Sequence, residues 1–209
     1  MQFTTIVAAF LSDAAPPGQA LRDRALSAGM TDVVPLEPDD RKALGVHAPT
    51  PEMVGGTWGA FGMAWAIIDD VEGWECLQIY TSMNSYFDAV VANEAVDPKH
   101  VDPMLAWIET FRDACVRLEP RAAFLDTRSH YGDQRWEDKQ GNRDWVRAQA
   151  RRVMAGDITA LADEHYSLLY LDAPLARRWD ANPPGDDRDT VVMPRGRLVF
   201  AGSGPKRMA

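Results

Sequence analysis

An α+β fold, with a mostly antiparallel sheet, helices packed on it and recurrent hairpins, is what this sequence predicts. Three observations carry that expectation. Short apolar stretches pair off around turn signals, first at Asp69-Asp70-Val71-Glu72-Gly73 and again at Pro194-Arg195-Gly196. Helical periodicity is interleaved with them: Met104, Trp107, Ile108, Phe111, Cys115 and Leu118 fall at three- and four-residue steps. The strands are short and joined by turns, which argues against a doubly wound parallel sheet.

Taken in order, Phe3, Ile6, Val7 and Phe10 predict a first strand. Pro16-Pro17-Gly18 opens a helix that runs to about Ala28 and closes at Gly29. Residues 35–56 are rich in proline and glycine and read as a long irregular excursion. The stretch Trp58 to Ile68 and the stretch Trp74 to Tyr80 then form a hairpin with an acidic tip. Apolar residues on both faces of its second arm suit a strand covered on both sides. Tyr86, Phe87, Val90 and Val91 mark one helix. The next is capped by Asp102, has Pro103 in its first turn and stops at Pro120.

Ala122 to Leu125 predicts a short strand, and the polar run Asp126 to Asn142 a loop, with a helical start as the alternative. Arg143 to Met154 is a helix burying Val146, Ala150 and Val153. Asp157 caps a further turn, and Tyr166 to Leu171 is a strand. Asp172 and Pro174 start a short helix ending near Trp179. Thr190 to Met193 and Arg197 to Ala201 close the chain as a hairpin. A chain of 209 residues buries roughly 70% of its unfolded surface, enough for an independent core. A single domain, 1–209, is expected, with a two-lobed division into 1–120 and 121–209 as the alternative.

Charge is the most uneven property. Residues 1–105 hold 15 acidic and 5 basic side chains, a net of −10, and residues 106–209 hold 16 and 17, a net of +1. An acidic half repels nucleic acid and attracts cationic partners. No run of 18 apolar residues exists, so no membrane span is expected. The apolar start from Phe3 has no basic residue before it, so it reads as a buried strand and not a signal peptide. Two cysteines, Cys76 and Cys115, are too few for a disulfide framework and suit buried thiols in a cytoplasmic protein.

No complete catalytic, metal or nucleotide motif emerges. Asp69, Asp70, Glu72 and Glu75 lack the spacing of a calcium loop. His47, His100, His130 and His165 form no helical pair and no zinc signature. Gly55, Gly56, Gly59 and Gly62 do not match a dinucleotide fingerprint, because no helix opens after them. No cofactor and no metal are therefore expected. Arg143, Arg147, Arg151 and Arg152 make a basic stripe on one helix, read as a solvated face or an intramolecular partner for the acidic half.

Leu118-Glu119-Pro120-Arg121-Ala122-Ala123-Phe124-Leu125-Asp126, the strand Tyr166 to Leu171 and the hairpin Pro194-Arg195-Gly196-Arg197-Leu198-Val199-Phe200 together resemble the layout of some bacterial polymorphic-toxin immunity proteins. In these a helix leads through proline to a short strand, and a central strand and closing hairpin follow. The resemblance covers the C-terminal half only. It implies action by binding, and so carries over no catalytic residue.

The first functional expectation is therefore an acidic cytoplasmic binding protein, an immunity-type inhibitor of a basic toxin. Asp69, Asp70, Glu72, Trp74, Glu75 and Trp58 would form its contact surface. The alternative is an enzyme or small-ligand protein. In it His130, Asp126, Glu137 and His165 would move protons, with Trp136 and Tyr131 lining a pocket. A third reading buries exposed aromatics in a homodimer.

Overall fold

The computed structural model describes residues 2–13, 20–37, 39, 52–82, 103–131, 135–155, 168–181 and 190–200. Their nine strands form one antiparallel sheet, with four α-helices packed on it, as the α+β expectation required. The strands are β1 (Gln2–Asp13), β2 (Met30–Pro35), β3 (Val54–Trp58), β4 (Met63–Val71), β5 (Trp74–Ser82), β6 (Ala122–Tyr131), β7 (Leu168–Asp172), β8 (Thr190–Met193) and β9 (Gly196–Phe200). The helices are α1 (Leu21–Ser27), α2 (Pro103–Leu118), α3 (Arg135–Met154) and α4 (Ala173–Ala181).

The strand order is β2-β3-β4-β5-β1-β6-β7-β9-β8, so β1 joins the two halves of the chain. It pairs with β5 from Thr5↔Ser82 to Asp13↔Trp74 and with β6 from Gln2↔Tyr131 to Leu11↔Ala122. Its near-continuous apolar run is explained by burial on both sides. Ile6, Ala8 and Phe10 enter one core with α1 and α2, while Val7, Ala9 and Leu11 enter a second with α3 and α4.

In the first core Trp58, Phe61 and Trp107 stack in sequence, with centroid separations of 4.8 and 5.5 Å. Phe10 meets both Trp58 and Phe111. Helix α2 keeps the predicted bounds closely. It ends where Glu119 adopts φ 48 and donates its N–H to the Cys115 carbonyl, one residue before Pro120. Helix α4 begins as its residues demand: Asp172 Oδ1 accepts the Leu175 N–H at 2.9 Å, an N-cap with Pro174 in the first turn.

Three expectations change. The arm predicted from Trp58 to Ile68 is two strands, β3 and β4, because Gly59 and Gly62 take positive φ around a single 3₁₀ turn at Gly59–Phe61. The excursion 35–56 holds the end of β2 and the start of β3, bridged by the Leu36 N–H on the Met53 carbonyl. The polar run from Asp126 is not loop at its start. Residues 126–131 continue β6 against the N-terminus of β1, and Arg135 already begins α3. Ladder pairing uses backbone groups, so polar side chains at a strand end do not prevent it. The helix expected at Tyr86–Val91, the turn at Asp157 and Tyr166 lie outside the described residues.

Candidate functional site

The acidic hairpin is built on β4 and β5, which pair up to Val71↔Trp74. Its two-residue turn is Glu72-Gly73, both at positive φ (55 and 89), the geometry that matches strand twist. Asp70 Oδ1 accepts the Gly73 N–H at 3.2 Å and steadies the turn. Asp69 and Asp70 therefore sit within strand β4, not in the loop, and alternate between the two sheet faces.

Three arginines of the same chain pair with carboxylates of this hairpin. Asp69 is 5% exposed and lies under α3. Its Oδ1 accepts from Arg147 Nη2 at 3.0 Å and its Oδ2 from Gln78 Nε2 at 2.7 Å. The Tyr80 hydroxyl donates in turn to Gln78 Oε1, and its ring stacks on Trp65 with centroids 4.1 Å apart. On the opposite face Glu75 Oε1 accepts from Arg24 Nε of α1 at 2.6 Å, a pair also largely buried. Glu72 pairs with Arg151 at 3.0 Å, both exposed. The basic stripe of α3 is thus the intramolecular partner of the acidic half at Arg147 and Arg151.

The contact surface expected at this hairpin changes accordingly. Trp58 is 1% exposed, its Nε1 donates to the Ala28 carbonyl at 3.0 Å, and it belongs to the core. Asp69 and Glu75 face inward and are neutralised by the chain's own guanidiniums. Trp74 is half-buried beneath the Arg121 guanidinium, 5.6 Å from its ring centroid. Arg121 also donates to Asp172 Oδ2 at 2.7 Å and to Asp13 Oδ1 at 3.3 Å, and the Asp172 hydrogen bond raises its pKa. Asp70 and Glu72 keep exposed carboxylates.

A second acidic surface was not foreseen. It lies at the β2 edge of the sheet, where Asp32, Glu37, Asp39 and Glu52 are exposed. The ladder ends at Pro35↔Val54 and is followed by the Leu36 N–H on the Met53 carbonyl, so Glu37 and Glu52 lie just beyond the paired ends of β2 and β3. Among the described residues no cation pairs with either. The proline- and glycine-rich reading of 35–56 hid this pair. Its signal was Val33-Val34 and Thr57-Trp58, two β-prone dipeptides flanking the excursion.

The alternative site is only partly placed. Asp126 stands opposite Val7 and His130 opposite Phe3 on β6, and Glu137 lies in the first turns of α3. Their side chains, and all of His165, lie outside the described residues. A small open pocket of about 60 Å³ lies between the end of α2 and the β8–β9 turn, bordered by Cys115, Tyr170, Met193 and Arg195. Burial pushes the Tyr170 hydroxyl up to about 12 and the Cys115 thiol well up from its ordinary value. Burial also raises Cys76, helped by the nearby Asp69 charge. All three stay protonated at neutral pH, so none is a ready nucleophile or base. Among the described residues no group of three His, Cys, Asp or Glu side chains could hold a metal ion. No described helix is long and apolar enough to cross a membrane.

No family model matches the chain, and no curated protein matches it in sequence. Among solved structures it is similar to the Pseudomonas aeruginosa T6SS protein PA0821, with a TM-score of 0.43 and 10% identity. That alignment covers 96% of this chain and 65% of the other, so this chain spans just under two thirds of its length. A likeness this distant carries no residue role over to this chain.

Proposed function

We propose that this chain is an acidic binding protein that neutralises a basic partner by protein–protein contact, in the manner of an immunity protein against a toxin. One observation carries the reading. The chain matches its buried acidic groups Asp69 and Glu75 with its own arginines, yet Glu37 and Glu52 stay exposed just beyond the ends of β2 and β3, with no paired cation among the described residues. Exposed carboxylates with no paired cation among the described residues suit a surface completed by a partner's lysines or arginines. Asp32 extends the patch along β2, and the net of −10 over residues 1–105 would steer a cationic partner toward it. The resemblance of the C-terminal half to immunity proteins points the same way.

The test is capture from a lysate of the source cells at low and at high salt. One basic protein, held at low salt and weakened at high salt, supports the reading. Absence of any protein partner at either salt rejects it.

A further inference from the structure

We propose that the basic partner docks on an open corner of the sheet, where Val34, Met63 and Trp65 form an apolar centre beside Asp32, Glu37 and Glu52. The partner side chain that enters this centre is apolar and is flanked by lysines or arginines. This rests on the binding reading above and names its surface.

The register brings the corner together. Thr31, Thr57 and Met63 stand in one row across β2, β3 and β4, and Val34, Gly55 and Trp65 stand in the next. Paired residues share a face of the sheet. Met30, Val33, Trp58 and Ala64, which alternate with them, enter the first core, so the corner lies on the opposite face. Helix α3 reaches that face of β4 at Asp69. Met63 is at the other end of the strand, roughly 20 Å away at the rise of an extended chain. The corner is accordingly open: Met63 is 75% exposed and Val34 56%.

Single exposed apolar side chains are ordinary on a folded surface. These adjoin one another, which marks a contact surface. Trp65 is half-buried and held in place, because its ring stacks on Tyr80 and the Tyr80 hydroxyl is bound to Gln78. A fixed aromatic ring loses little freedom on binding and suits the centre of an interface. Gly55 separates Val34 from Trp65 and has no side chain of its own. A Cβ there would lie 2.9 Å from Leu36 Cδ2, so the glycine lets Leu36 settle against β3. Met63 supplies an unbranched, adaptable side chain at the rim.

Charge selects the occupant. Asp32 sits in the bulge between Thr31 and Val34, exposed and at φ 54. Glu37 and Glu52 lie just beyond the paired ends of the same two strands. Arg22 approaches from α1 and is held on the Val33 carbonyl at 3.2 Å. A second copy of this chain would set two acidic halves against each other, each with a net of −10 over residues 1–105. A basic partner gains from those same charges.

Met63 reports the corner directly. The experiment takes the full chain and the basic protein it retains at low salt, and follows oxidation of Met63 by hydrogen peroxide by mass spectrometry, with and without that protein. Met30, Met53 and Met193 are buried and serve as internal references. Met63 should oxidise readily in the free chain and at least about fivefold more slowly in the complex, since oxidation follows exposure. The variant Val34→Thr with Met63→Ser changes two exposed side chains and keeps the fold. It should dissociate about tenfold faster, with an unchanged dependence on salt, because loss of an apolar anchor acts on the off-rate. An unprotected Met63, or unchanged dissociation of the variant, overturns this surface and leaves the binding reading standing. Retention of no basic protein overturns both. Self-association of the free chain that the variant abolishes overturns the basic partner in favour of a second copy.

Discussion

Arg147 Nη2 lies 3.0 Å from Asp69 Oδ1 and joins the most basic helix of the chain to its most acidic hairpin. The two side chains are not equally placed. Asp69 retains 4% of its side-chain exposure and Arg147 retains 32%. The carboxylate is thus committed to the interior, and the guanidinium is a cation that helps make its burial tolerable.

Arg147→Gln should therefore destabilise the fold more than an ordinary surface substitution. The expected loss is about 2–4 kcal/mol, toward the low side of values for broken buried pairs because Arg147 is partly solvated. Asp69→Asn added to that variant should recover part of the loss, since the uncompensated charge is gone. Urea denaturation of the four proteins of the cycle measures both effects.

Gly196 makes a different demand. It pairs with Asp172 of β7 and Met193 of β8, and a Cβ there would lie 2.0 Å from the Leu171 carbonyl oxygen. The obstacle is backbone, so it cannot rotate away. Gly196→Ala should cost about 3 kcal/mol or more, visible as a lower thermal midpoint. Gly73→Ala, with nothing within 4 Å of its Cβ, meets only the strain of its φ of 89 and should cost less.

Tyr170 supplies a pH dependence. Burial raises its hydroxyl from 10.0 to about 12. The folded state holds this proton more tightly than the unfolded one. Stability from it is fully present below pH 10 and is lost as pH rises from 10 through 12. The difference in near-ultraviolet tyrosinate absorbance between the protein and Tyr170→Phe should show a late-titrating phenol, and the variant should lose less stability across that window.

The exposed glutamates at the sheet edge, Glu37 and Glu52, predict opposite effects on stability and binding. Glu37→Gln with Glu52→Gln removes two negative charges from the acidic half and should raise stability by roughly a few tenths of a kcal/mol. The same variant should bind a basic partner more slowly and with a flatter dependence on salt. Thermal unfolding reads the first effect, and association kinetics at several salt concentrations read the second.

Much of this fold was legible where local chemistry and periodicity agreed. Helix α2 has a three- and four-residue apolar stripe ended by Pro120. Helix α4 has Asp172 and Pro174 in capping order, and the stripe Arg147–Arg151 was readable as a partner for the acidic half. What escaped was set by long-range pairing. The polar residues 126–131 become strand only because the N-terminus of β1 lies beside them. Val54 and its glycines become strand only between β2 and β4. Trp58 flanks a turn in sequence, yet that turn folds it under Phe61 into the core. Arg24, which answers Glu75 from 51 residues away, carries no local signal at all.

The most direct measurement compares capture by the unsubstituted chain and by the Asp32→Asn, Glu37→Gln, Glu52→Gln variant from one lysate, quantified by mass spectrometry at low salt. The account predicts one basic protein enriched by the first and lost from the second, with both baits equally folded. Equal capture by both, or no basic partner with either, would contradict it.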